Sequence, residues 1–257
     1  MTCALRKLAC GPTRTEGPLD EVLSHLGSVV DALWTEAIAL DRAHTSRLRL
    51  FGPLIARSVL ETVFSAVLGR IDAFRLLFLR ERQKGSDYPI GVRQKAAIQW
   101  TGDVVPDRKE TTAGPGSWPG DKPIEYFSRA LFGECYDLTI WRHAFQRLLD
   151  GRPKQVSGPW VAETMKHTPE SIVDYLRGIL NQRYSSLSKA VHHEFVIEPS
   201  HLYDVATVVD DMRDTIRLGA TVAAMSHAVI HAARCHEIDV AWELLSEIQN
   251  EEARICP

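Results

Sequence analysis

The chain has 257 residues, 45% of them hydrophobic and 25% charged, which suits an ordinary globular protein with one large or two small domains and a substantial core. A formal net charge of -3 excludes a global electrostatic pull toward nucleic acid or acidic membranes, so any such binding needs a local basic patch. The five cysteines (Cys3, Cys10, Cys135, Cys235 and Cys256) are scattered and form no C-x-x-C pair, which excludes a disulfide framework and reads as the reduced thiols of a cytoplasmic protein.

The chain opens on "MTCALRKLACGPTRTEGP", whose short apolar stretch is interrupted by Arg6 and Lys7. A signal peptide places its basic residues first and a longer apolar core after them, so residues 1–17 read as a flexible N-terminal arm. No apolar run reaches the roughly 18 to 20 residues that a membrane span needs. From Leu19 onward, Leu23, Leu26, Val30, Leu33 and Ala37 recur at helical spacing, with Pro18 ahead of them and Asp20 and Glu21 in the first turn. After Gly52-Pro53 a second helix is predicted. Val59, Leu60, Val63, Phe64, Val67, Leu68 and Ile71 make its apolar stripe wide enough for a central element, and Gly69 allows a close approach or a kink near Asp72. This segment ends in a solvated run, Arg80-Glu81-Arg82-Gln83-Lys84.

Residues 85–122 lose the apolar period and are rich in Gly, Pro, Thr and Asp, the composition of a surface insertion. Helical pattern resumes at "IEYFSRALFGECYDLTIWRHAFQRLLDG" and stops at Gly151. A further helix is predicted over "TPESIVDYLRGILNQRYSSLSKAVHHEF", with a cap near Thr168 and Pro169. A long pattern from His201 to Cys235 and a short closing helix over 239–249 complete the chain. Strand signals are nearly absent. The expected fold is all-α: a single helical domain over 18–257, a bundle of five or six long helices with one irregular insertion.

The stretch "NQRYSSLSKAVHHEF" carries the densest chemistry. At about 100° per residue, His192 shares a face with Ser185 and Ser188, while His193 falls near Ser186 and Lys189. Imidazoles titrating near neutrality move protons, and a cation with hydroxyls holds a phosphodiester. The competing reading is a well-solvated helix end. An all-α chain with "LSKAVHHEF" late in a long helix resembles the HEPN superfamily, four- to six-helix proteins of prokaryotic toxin–antitoxin and antiphage systems. Active members of that superfamily are metal-independent endoribonucleases with an Arg, four to six residues, a His, one residue and an aromatic. Here His193-Glu194-Phe195 resembles the His-x-aromatic end, and Ser188 stands about where the arginine belongs.

The resemblance implies RNA cleavage or binding without a cofactor, at a site shared across a homodimer. His192, His193 and Lys189 would be the catalytic group, and Arg183, Ser185 and Ser188 the substrate-binding one. The alternative is a non-catalytic helical subunit that docks a partner protein of the same antiphage system. Neither reading involves a membrane. Arg57 and Glu61 in "RSVLETVF" are an i, i+4 pair expected to form a structural ion pair.

Three further patterns stay open. His227, His231 and Cys235 recur at i, i+4, i+8 and would form a metal-binding stripe on one helix, or a core-bordering histidine face. Asp210, Asp211 and Asp214 would hold a divalent cation or pair with Arg213 and Arg217, the favoured reading. Arg70, Arg75, Arg80, Arg82 and Lys84, with Arg93, Lys95, Arg108 and Lys109 downstream, are the candidate basic patch, and Trp100 and Trp118 its candidate base-stacking residues. No phosphate-cradling glycine loop, nucleophile elbow or dinucleotide fingerprint is present.

Overall fold

The computed structural model describes residues 2–13, 17–40, 44–85, 131–191 and 204–255, without the side chains of Arg82, Lys189, Ala190 and Val191. The expected insertion falls almost wholly outside these residues, as do His192 and His193. Every regular element among the described residues is helical, so the fold is all-α.

Of the expected arm at 1–17, residues 2–13 are not flexible but packed. Ala4–Cys10 forms α1, whose Ala4, Leu5, Leu8 and Ala9 are buried. Arg6 donates to Asp31 at 2.6 Å, the backbone N–H of Cys3 donates to the same carboxylate at 2.9 Å, and the Arg6 side chain lies over Gly27. The arginine that broke the hydropathy pattern is therefore what fastens α1 to the next helix. That helix, α2 (Pro18–Ala39), starts on Pro18 as the sequence implies and buries Leu23, Val30, Trp34 and Ala37.

The central helix α3 (Thr45–Ile71) begins before Gly52-Pro53 and runs through it. Leu48 is fully buried there, and Gly52 lies so close to α9 (Val205–His227) that a Cβ would stand 2.6 Å from Val208 and 3.0 Å from Met212. This packing offsets the backbone bond that Pro53 cannot make. By length and composition α3 could cross a bilayer, but 56% of its most apolar window is buried inside the protein, as befits a core helix.

Gly69 acts as its position suggests. A Cβ there would come within 2.2 Å of Leu76, so the glycine permits the tight corner between α3 and α4 (Ala73–Lys84). At that corner Asp72 accepts the backbone N–H of Arg75 at 3.3 Å, an N-cap bond, and the phenol of Tyr136 at 2.8 Å.

Glu134–Tyr136 (α5), a π turn over Asp137–Trp141 and Arg142–Asp150 (α6) form one continuous rod. Trp141 is fully buried; its indole N–H donates to the Leu131 carbonyl, and its ring lies 6.0 Å from that of Phe132. After the short α7 (Pro159–Thr164), a turn in which Ser171 Oγ accepts the Thr168 N–H leads into α8 (Ile172–Val191).

Asp204 caps α9 by accepting the Thr207 N–H at 3.0 Å. The pattern expected to run on to Cys235 stops at His227, where the chain turns back. Ala233 donates its N–H to the Arg70 carbonyl at 2.7 Å, and Arg234 takes a left-handed φ of 54°. The closing helix α10 (Ile238–Glu252) buries Trp242, Leu245 and Ile248. Helices α3 and α9 form the core pair, so close that a Cβ on Gly219 would stand 3.5 Å from Val63, and α8 lies alongside both.

Candidate phosphate site at the seam of the third and eighth helices

On α8 the buried stripe is Leu176, Leu180 and Leu187, and polar residues flank it on both sides. Tyr184 and Ser188, one turn apart, face α3. Arg183 and Ser186 face α9. The same helical phase that buries the leucines therefore sends two polar rows to two neighbouring helices.

On the α3 side, Arg57 is the hub. Its Nε donates to Glu61 at 2.9 Å, Nη1 to Ser188 at 3.3 Å and Nη2 to the Tyr184 hydroxyl at 2.5 Å, and the guanidinium carbon stands 4.5 Å from the Tyr184 ring centroid. The expected Arg57–Glu61 pair is present, but it extends across to the late helix. These contacts use three of the five guanidinium N–H groups, and the side chain stays 23% exposed, so the cation can still meet an anion from solvent. Burial raises the Tyr184 phenol above its ordinary range despite Arg57, keeping it a neutral hydroxyl.

On the α9 side, Arg183 Nη1 donates to Asp211 at 2.7 Å and Nη2 pairs with Asp214 at 2.5 Å; Ser186 donates to the other Asp211 oxygen at 2.6 Å. Arg183 was expected to hold substrate phosphate. Instead two carboxylates already neutralise it. Asp214 also pairs with Arg217 at 3.1 Å, whereas Arg213 pairs with Glu252 at 2.9 Å, so the acidic cluster is an ion-pair network. Trp160 and these residues line a polar pocket of about 300 Å³ in which the charges nearly cancel. Ser185 is exposed. Lys189 lies in the last turn of α8.

Three members of the candidate basic patch, Arg70, Arg75 and Arg80, are taken up in the same way. Arg70 and Arg75 are each 1% exposed, and Arg80 pairs with Glu21 and with Glu81. Arg75 donates to the Tyr136 hydroxyl at 3.3 Å, and burial pushes that phenol up to about 12. Arg93, Lys95, Trp100, Arg108, Lys109 and Trp118 lie outside the described residues. Arginines four or five apart on an apolar helix look alike in sequence whether they coat a surface or enter a core.

Arg70 enters the core with no carboxylate beside it. It donates to Ala233 O at 3.0 Å, Leu8 O at 3.2 Å, Ser226 Oγ at 2.8 Å and His227 Nδ1 at 2.9 Å. Both ring nitrogens of His227 are thereby engaged, since Nε2 meets Leu8 O at 2.8 Å. His231 is exposed beyond the helix end, and the Cys235 thiol contacts backbone carbonyls. The metal stripe of His227, His231 and Cys235 does not form because its helix ends at the first of them. Among the described residues no group of three or more His, Cys, Asp or Glu is placed to hold a metal.

The polar row missed in the sequence is Arg57–Tyr184. A tyrosine inside an apolar period reads as core, and its partner is 127 residues away. No protein-family model, curated protein or solved structure matches this chain.

Proposed function

We propose that the protein is a HEPN-like RNA-binding protein that holds a phosphodiester at the seam of α3 and α8 and cleaves RNA there. The observation that carries this reading is the Arg57 guanidinium at Ser188, the position where the related motif has its own arginine. A cation supplied from α3 answers the requirement that α8 leaves unmet. Arg57 would neutralise the phosphate, and Ser188 and Tyr184 would orient it by hydrogen bonding. Lys189 would add a second cation. His192 and His193, next in sequence after α8, would transfer the protons, in one chain or across a homodimer. No metal enters this chemistry.

Purified protein should bind single-stranded RNA and cleave it in the presence of a chelator. The His192→Ala/His193→Ala double variant should retain binding and lose cleavage. Arg57→Gln should weaken binding and flatten its salt dependence by about one counterion. If wild-type protein leaves RNA both unbound and intact, the reading fails.

A second reading, a subunit that docks a partner protein of a defence complex, draws on a groove of about 810 Å³ between α2, α3 and α4. Val22, Leu26, Val29, Leu76 and Leu79 form its apolar floor. Copurification of one stoichiometric partner from the native host favours it, and a protein that purifies alone counts against it.

A further inference from the structure

The C-terminal carbonyls of α1 end on a cluster of three cationic or ionisable groups. Arg70 from α3 reaches Leu8 O at 3.2 Å and Ala9 O at 3.5 Å. His227 from α9 reaches Leu8 O at 2.8 Å, and His236 from the following loop takes a backbone bond at Lys7. The two imidazoles lie 5.1 Å apart.

The bonding pattern fixes the His227 tautomer. Its Nε2–H donates to Leu8 O, so Nδ1 carries the lone pair, and that lone pair accepts the His236 backbone N–H and Arg70 Nη2, each at 2.9 Å. A proton arriving at Nδ1 removes both bonds at once. It also sets an imidazolium against a guanidinium that is 1% exposed and has no carboxylate among its contacts. Separating the two cations pulls Arg70 from Leu8 and Ala9.

The other charged groups near this cluster do not supply a counter-charge. Arg70 Nη2 meets the Cys235 sulfur at 3.5 Å, and the nearby Cys10 thiol is pushed up to about 11 by burial. Arg234 is held by Asp20 of α2 at 2.6 Å, Asp31 is committed to Arg6, and Lys7 adds a further cation beside His236. Burial first, then Arg70, holds the His227 imidazole well below its ordinary range, and burial does the same less strongly at His236.

We propose that His227 and Arg70 form an acid-sensitive latch: protonation of the His227 ring frees α1 from the body of the protein, swinging on Gly11. Gly11 suits the hinge because it holds a φ of 69°, and a Cβ there would stand 1.8 Å from the Arg234 carbonyl. A seven-residue helix has little stability of its own once undocked. Undocking uncovers Cys10 and Cys3, which are buried in the latched state. The latch is independent of any reaction at the α3–α8 seam.

The open state takes up a proton that the latched state refuses. Its population therefore rises as pH falls below about 6.5, by about tenfold per pH unit until the latched ring itself titrates.

The test is thiol labelling of the full chain at pH 7.5 and 5.5, resolved by peptide mass spectrometry and normalised to the exposed Cys135. The Cys10 to Cys135 rate ratio should rise about tenfold at the lower pH. In His227→Gln, whose amide donates to Leu8 and accepts from His236 without titrating, the rise should fall below threefold. An unchanged ratio in the wild type, or a full rise in His227→Gln, overturns the latch. Amide exchange of wild-type protein gives a reading free of the variant. Corrected for intrinsic rates, amides of α1 should speed up about tenfold while those at Val222–Met225 hold. Parallel acceleration of both would mean global unfolding, and the latch would fall.

Discussion

Replacing Arg70 with methionine tests whether a carbonyl cage can repay a buried cation. The side chain donates four good hydrogen bonds, to Ala233 O, Leu8 O, Ser226 Oγ and His227 Nδ1, at 2.8 to 3.2 Å. Methionine fills much of the volume and removes the charge. Three of the four acceptors keep another partner: Leu8 O retains His227, His227 Nδ1 retains the His236 N–H, and Ser226 still donates to Ala223 O at 2.6 Å. Ala233 O loses its side-chain donor. One orphaned buried carbonyl costs about 1–3 kcal/mol, and the lost charge-assisted bonds add to this, less the desolvation that the guanidinium no longer suffers. The expected net loss is about 3 kcal/mol, or roughly 6–12 °C in Tm for a chain of this size. Urea titration followed by far-UV circular dichroism measures it, with Arg80→Met as the comparison. Arg80 is partly exposed and pairs with exposed carboxylates, so its loss should cost under about 1 kcal/mol. If Arg70→Met falls within about 0.5 kcal/mol of wild type, the cage does no more than break even and the account of the α1 anchor is wrong.

Gly11→Ala should cost at least about 2 kcal/mol, because an L side chain is strained at a φ of 69° and its Cβ would overlap the Arg234 carbonyl. Amide exchange should place the damage in α1, and uniform loss across the protein would contradict a local anchor. Asp211→Asn should destabilise the α8–α9 contact by about 1–2 kcal/mol, since Asp211 is 3% exposed and meets both Arg183 and Ser186, while Asp214 still holds Arg183. If Asp211→Asn also weakens RNA binding more than Arg57→Gln does, the functional face has been placed on the wrong side of α8.

The apolar faces of the long helices were legible in the sequence. The stripe of α2 and the wide apolar surface of α3 appear as expected, and Gly69 marks the corner that Asp72 caps. Where two forces competed, the local signal lost. Pro53 reads as a stop, yet the packing of Leu48 and Gly52 on α9 carries α3 through it. Arg6 reads as an interruption of an apolar segment, yet it is the tether of α1.

Charges were the least legible feature. Arg57, Arg70 and Arg183 are indistinguishable in composition, and each meets a different environment: a half-open seam, a carbonyl cage and a pair of aspartates. Which environment an arginine meets depends on residues more than twenty positions distant, beyond the reach of any periodicity. The histidine stripe failed for a related reason, since α9 ends at His227 with no breaker residue beside it, and the chain that follows is held by Arg70 from α3.

The wide turn at Asp137–Trp141 bears on how this rod tolerates changes in length. Removing one residue from it would restore ordinary helical winding, but everything upstream would rotate by about 100° relative to α6. Tyr136 would then swing away from Asp72 and Arg75, leaving a buried guanidinium without its phenol and the corner between α3 and α4 without its strut. The extra residue thus sets the angular register between two halves of the bundle, and a single-codon deletion there would be felt at the distant α3–α4 corner through Tyr136.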